Sequence, residues 1–93
     1  MNSGEARAVL LAESARYRAK SYRDLVYLLE HQDCYEVEGP SGVLYQLEIQ
    51  AFWDDKPNDV LRVRAAIDDR GIRAFFPMME DFLTAPDGRF VGK

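Results

Sequence analysis

The chain has 93 residues, with 12 Lys and Arg against 16 Asp and Glu, and 47% of the residues are hydrophobic. This length and composition predict one globular domain over residues 1–93, and they exclude both a disordered tail and a membrane-spanning chain. The net charge of −4 falls mainly after residue 30. Because nucleic-acid binders concentrate Lys and Arg, we do not expect a nucleic acid as the partner. We do not expect a membrane either, because no apolar stretch is long enough to span one.

The N-terminus and the cysteine usage bear on the compartment. Met1–Ala8 is polar and lacks the basic-then-apolar order of a secretory signal. Cys34 is the only cysteine, so no disulfide can form within the chain, as is usual in a reducing compartment. We therefore expect a cytoplasmic protein.

Apolar residues recur at spacings of three, four or seven near the N-terminus, which predicts a helical segment over about residues 4–31. Ser21 with Asp24 three positions later is a capping signal. The segment is therefore one helix or two, and we favour a break near Lys20. The predicted apolar stripe is Ala8, Leu11, Ala15, Tyr22, Leu25 and Leu29, with Val9, Ala12, Ala19 and Val26 on the adjoining stripe.

From Tyr35 onward the apolar period changes to two, which predicts an antiparallel sheet over about residues 35–92. Met78–Asp81 is expected to form a helical turn, and Phe82–Gly92 a small terminal hairpin or a strand with a tail. The fold class is thus α+β, with the helical segment on one face of a meander of four to five strands. The predicted strands are one short strand, Tyr35–Glu38, and three long ones, Val43–Trp53, Val60–Ile67 and Ile72–Phe76.

The two best-defined strands suggest a register. Matching their apolar sides places Ile49 opposite Val63. The same register places Glu48 opposite Arg64 and Gln50 opposite Arg62, and this charge match favours the pairing.

A catalytic or metal site would have to use the only histidine, His31, together with Cys34. One His and one Cys fall short of a zinc site unless Asp33, Glu36 or a second chain contributes. No nucleophile-elbow spacing surrounds Ser41. The sequence therefore predicts no catalytic residue, cofactor or metal site, and a small enzyme or metal-dependent domain built on His31, Cys34 and nearby carboxylates is the alternative.

The sheet face away from the helices is the predicted partner face. It combines charges with an apolar strip, which is typical of protein-binding surfaces. We therefore expect a non-enzymatic binding or regulatory module that uses this face or an edge strand, and whose partner is another protein or a second copy in a homodimer. The residues assigned to this face are Glu36, Glu38, Glu48, Arg62, Arg64, Arg73, Phe52 and Phe75, with Leu44 completing the apolar strip.

A basic stripe at helical spacing is the remaining charged feature. Arg16, Lys20 and Arg23 would share one side of the helical segment. Such stripes are usually solvated helix faces.

The second half of the chain resembles a family of short uncharacterised bacterial proteins. The likeness covers about two thirds of the chain and is carried by Tyr35–Gly39, Phe52–Pro57, Arg73–Pro77 and Asp81–Gly92. It implies a small bacterial α+β domain and no particular activity.

Overall fold

The computed structural model describes residues 3–68 and 78–91. The helical part comprises α1, Ser3–Arg18, and α2, Tyr22–Val26, followed by a 3₁₀ turn, Tyr27–Leu29. Four strands follow: β1, Asp33–Glu38; β2, Leu44–Trp53; β3, Leu61–Asp68; and β4, Met78–Thr84. They form one antiparallel sheet in the order β1-β2-β3-β4 with the helices on one face, so the predicted α+β fold is confirmed. Among the described residues, no helix is long and apolar enough to cross a membrane.

The helical segment breaks after α1, as predicted near Lys20. The Ser21 hydroxyl accepts a hydrogen bond from the Asp24 backbone N–H at 3.1 Å and so caps α2. This cap satisfies a donor that the start of a helix leaves unpaired, and the chain can turn before α2 begins. Leu25 and Leu28 are buried after the turn.

The predicted apolar stripe of α1 is wrong, whereas Val9 of the adjoining stripe is buried. Ala8, Leu11 and Ala15 are exposed. The first half of this helix carries apolar residues on most of its circumference, so spacing alone does not choose between two stripes. The sheet buries the stripe that also includes a large aromatic residue. Its members are Ala6, Val9, Leu10 and Tyr17.

Alternation along the strands sorts the sheet into two faces, as predicted for β1 to β3. In β2 and β3 the odd-numbered residues face the helices, and nearly all of them are buried. The even-numbered residues point to the other face. The strand part of the core consists of Tyr45, Leu47, Ile49, Ala51, Leu61, Val63, Ala65, Ile67 and Phe82.

The predicted register between β2 and β3 is wrong by two residues. Ile49 lies opposite Ala65, and Gln50 lies opposite Arg64. A shift of two keeps every side chain on its own face, so the apolar pattern cannot detect the error. The loop between β2 and β3 sets the register, because it places Trp53, the last residue of β2, opposite Leu61, the first residue of β3.

The region predicted as a helical turn, Met78–Asp81, is the first half of β4 instead. Strand β4 pairs with β3 from Ile67 opposite Met78 to Leu61 opposite Thr84. The predicted terminal hairpin is present: Thr84 bridges Phe90, and the Val91 N–H donates to the Leu83 carbonyl at 2.9 Å. The predicted strand Ile72–Phe76 lies outside the described residues.

Carboxylate–hydroxyl hydrogen bonds attach α1 to the sheet. Glu5, in the first turn, accepts bonds from the Tyr45 hydroxyl at 2.7 Å and from the Ser41 N–H at 2.7 Å. The pKa of Glu5 lies below its ordinary value. The hydrogen bond from Tyr45 is the main cause, followed by those from the backbone N–H and the hydroxyl of Ser41. Gly39 fits beneath this contact because a Cβ there would lie 2.8 Å from a Glu5 carboxylate oxygen.

Two tyrosines make the corresponding attachment further along α1. The Tyr17 hydroxyl donates to Asp33 at 2.5 Å, and the Tyr35 hydroxyl donates to Glu13 at 2.9 Å. Burial raises the pKa of Tyr35 to about 12, and the hydrogen bond to Glu13 is the next cause. Burial and then the bond to Asp33 raise the pKa of Tyr17 as well. These contacts direct α1 to one side of the sheet only.

Candidate functional site

The face of the sheet opposite the helices, called the open face here, is the candidate site. Neighbouring strands align its side chains in cross-strand rows. One row runs from Gln50 through Arg64 to Asp81, and the next contains Phe52, Arg62 and Leu83. The other described members are Cys34, Glu36, Glu38, Leu44, Gln46, Glu48, Ala66, Asp68 and Met79.

An arginine–aspartate network occupies the β3–β4 half of the open face. Arg62 donates to Asp81 at 2.9 Å and to Asp54 at 2.8 Å. Arg64 donates to the other oxygen of Asp81 at 3.1 Å, and its guanidinium lies 5.2 Å from the centre of the Phe52 ring. Charge-assisted bonds of this kind hold the planar guanidinium groups in defined orientations.

The titration behaviour of the network follows from these contacts. Burial by itself would raise the pKa of Asp81, but hydrogen bonds from Arg64 and Arg62 outweigh it and leave that pKa below its ordinary value. The bonds to Asp54 and then Asp81 raise the pKa of Arg62. Asp81 and Arg62 therefore keep their charges near neutral pH, and the network pairs two arginines with two aspartates.

Carboxylates dominate the β1–β2 half of the open face. Glu36, Glu38 and Glu48 are all exposed there. Glu48 lies opposite Ala66, and its carboxylate accepts a hydrogen bond from the Gln32 amide at 2.9 Å. The predicted pairing of Glu48 with Arg64 is therefore wrong. In the observed register, Arg64 binds Asp81, and Arg62 binds Asp81 and Asp54.

Among the described residues, three large apolar side chains are exposed on the open face. Leu44 is 44%, Phe52 38% and Met79 51% exposed. Leu44 and Phe52 are eight residues apart on β2, or about 26 Å at the usual rise of a strand. These two residues are therefore separate contact points. Arg73 and Phe75, the other predicted members of the face, lie outside the described residues.

His31 and Cys34 have different surroundings. The His31 ring stacks on Tyr27 with the ring centres 4.4 Å apart. Cys34 is exposed on β1, where its sulfur accepts a hydrogen bond from the Gln32 amide at 3.4 Å. Within residues 3–68 and 78–91, no three His, Cys, Asp or Glu side chains are grouped so that they could hold a metal ion.

Three members of this region are not predicted by the sequence patterns above: Asp81, Asp54 and Met79. Asp81 and Met79 fall in the predicted helical turn, although Met79, Asp81 and Leu83 alternate with Met78, Glu80 and Phe82. This period of two is the signal for a strand. Asp54 belongs to a loop by its composition, and no local pattern indicates its contact with Arg62.

Comparisons with protein-family models, with curated proteins and with solved structures find no match to this chain. The resemblance to a family of short bacterial proteins therefore stays a prediction.

Proposed function

We propose that the protein is a non-enzymatic, cytoplasmic binding module that engages a basic surface of another protein through its open face. The observation that supports this most is the asymmetry of the sheet. The helices and the core occupy one face, whereas exposed carboxylates and apolar side chains occupy the other. Uncovered sheet faces of this composition are suitable protein-binding surfaces.

Charge supports a basic partner. Glu38 and Glu48 are exposed and make no salt bridge with any described cation. Arg62 and Arg64 on the same face are already neutralised by Asp81 and Asp54. The charge left by Glu38 and Glu48 in the described part of the face is therefore negative, and it would attract and orient a surface rich in Lys and Arg.

The apolar contact points would supply the contact area. Phe52 is held by the cation–π contact with Arg64, so binding would cost little side-chain entropy there. Aromatic residues of this kind often contribute most of the binding energy in an interface.

The same charge distribution favours a different protein over a second copy. In a face-to-face dimer, Glu38 and Glu48 of two identical open faces would add to each other's potential, and the described arginines of the face, Arg62 and Arg64, are already paired. We therefore expect the chain to be monomeric by light scattering over a concentration series. A dimer that survives at low concentration would assign the open face to self-association instead.

Affinity capture from a bacterial lysate with a charge-reversal pair tests the proposal. One bait carries Glu36→Lys, Glu38→Lys and Glu48→Lys on the open face. The matched control carries Asp24→Lys, Glu30→Lys and Asp55→Lys, which are exposed positions elsewhere with the same change in charge. Captured proteins are quantified by mass spectrometry.

We expect proteins that bind the unmodified chain and the control to be lost from the open-face variant. These proteins should elute with increasing salt, because exposed charges are screened. Equal loss from both variants would mean that net charge alone is responsible, and retention by the open-face variant would mean that the face is assigned wrongly.

A further inference from the structure

A cleft on the helical side of the molecule is separate from the open face. It lies where α1 ends and α2 begins, and the first residue of β1, Asp33, closes one side of it. Its volume is about 420 Å³, which is within the usual range of small-molecule sites. Its lining includes three kinds of functional group: two cations, an exposed ring and two carboxylates.

Lys20 and Arg23 provide the cations. Both are exposed, and neither makes a salt bridge with a described carboxylate. The Lys20 ammonium lies 5.5 Å from the centre of the Tyr17 ring, so its position is partly set by the wall of the cleft. By contrast, carboxylates already pair with Arg16, Arg18, Arg62, Arg64 and Arg89.

Tyr27 provides the ring. It is 65% exposed although it is a large aromatic residue. One of its faces stacks on His31 at an interplanar angle of 18°. Stacked aromatic pairs that border a cleft can extend their stack to a planar ligand, and such contacts do not require a particular base.

Asp33 provides the carboxylate. One of its oxygens accepts the short bond from Tyr17, which fixes the group while leaving acceptor sites for a ligand. Asp24 also lines the cleft. These two carboxylates would repel a bare anion, so a ligand that fits must carry hydrogen-bond donors as well as negative charge.

We infer that this cleft binds a small ligand of the nucleoside monophosphate class. The phosphate would lie at Lys20 and Arg23, the planar base would stack on Tyr27, and ribose hydroxyls would donate to Asp33. A nucleoside monophosphate combines a negative charge, a planar ring and hydrogen-bond donors, and each of these features matches one kind of group in the cleft.

Titration of the ¹⁵N-labelled chain with adenosine 5′-monophosphate, followed by NMR, tests the inference. Parallel titrations use inorganic phosphate and adenosine as separate probes. The variant is Lys20→Ala with Arg23→Ala. The matched control is Arg7→Ala with Lys56→Ala, which removes two other exposed cations that make no described salt bridge.

We expect saturable shifts of the amides between Tyr17 and Asp33, and an affinity about tenfold lower in the cleft variant than in the control. Tyr27→Ala should also weaken binding of the nucleotide. No saturation by about 10 mM nucleotide, or equal affinity in the two variants, would overturn the inference. Phosphate or adenosine binding as tightly as the nucleotide would overturn the proposed ligand class.

Discussion

The two faces of the sheet use ionisable side chains in different ways. On the helical side, Glu5 and Glu13 accept hydrogen bonds from tyrosine hydroxyls that are half-buried or buried, and these bonds attach α1 to the sheet. On the open face, Arg62 and Arg64 share Asp81 within the sheet itself. The first arrangement joins two layers, whereas the second organises one surface, so only the first should matter greatly for folding.

The largest expected difference comes from the same substitution on the two faces of β2. Leu47 is fully buried, and Leu44 is 44% exposed. Leu47→Ala should lower the free energy of unfolding by about 3 kcal/mol, because it leaves a cavity in the core. Leu44→Ala should lower it by less than about 0.5 kcal/mol.

Urea denaturation of both leucine variants provides the measurement. Similar losses in the two variants would mean that the open face is covered in solution.

Gly39→Ala should give the next largest effect. The new Cβ would lie 2.8 Å from a Glu5 oxygen and 2.9 Å from the Tyr45 ring, and crowding of this kind costs about 1–3 kcal/mol. In a double-mutant cycle, the cost should be smaller when Glu5 is already replaced by Ala. Additive effects of the two changes would show that the start of α1 does not lie against the β1–β2 turn.

Loss of the arginine–aspartate network should have a smaller, pH-dependent effect. The folded-state pKa of Asp81 is below its ordinary value of 3.8, so its stabilising contribution is complete above that pH and is lost as the pH falls through the folded-state value. Asp81→Asn should cost about 1 kcal/mol at pH 7.

Thermal melts of the Asp81→Asn variant and the unmodified chain between pH 7 and pH 2 measure this contribution. The difference between them should shrink below about pH 4. A constant difference over the whole range would show that ionisation of Asp81 does not stabilise the fold.

Ser14→Ala should stabilise the helical side slightly. The Ser14 hydroxyl is buried and has no hydrogen-bond partner among the described residues, and Ala has the higher helix propensity. We expect a gain of about 1 kcal/mol in the free energy of unfolding, measured by the same urea denaturation. Glu13 and Tyr17 flank this position but should keep their hydrogen bonds, and a loss of stability would show that the hydroxyl has a partner in solution.

The sequence predicted those features of the fold that depend on local patterns. The period of two in β2, the break near Lys20 and the Ser21 cap involve neighbouring residues, so they could be identified from the chain alone. The buried stripe of α1 could not be identified in this way, because Ala8 and Leu11 are as apolar as Ala6 and Leu10. Only packing against the sheet distinguishes the two sides.

The candidate site was harder to predict because it depends on pairing between distant residues. A two-residue shift between β2 and β3 leaves the apolar pattern unchanged but gives Glu48 a different neighbour. The place of Asp81 beside both arginines depends on β4 pairing with β3. Neither the length of the β2–β3 loop nor this contact is encoded in a local motif.

The most direct test of the proposed function is zero-length cross-linking of a captured complex. A carbodiimide joins carboxylates to lysines that are in contact, and mass spectrometry identifies the residues. We expect the carbodiimide to join lysines of the partner to Glu36, Glu38 and Glu48. Cross-links that instead involve Asp24, Glu30 or Asp55 would contradict it.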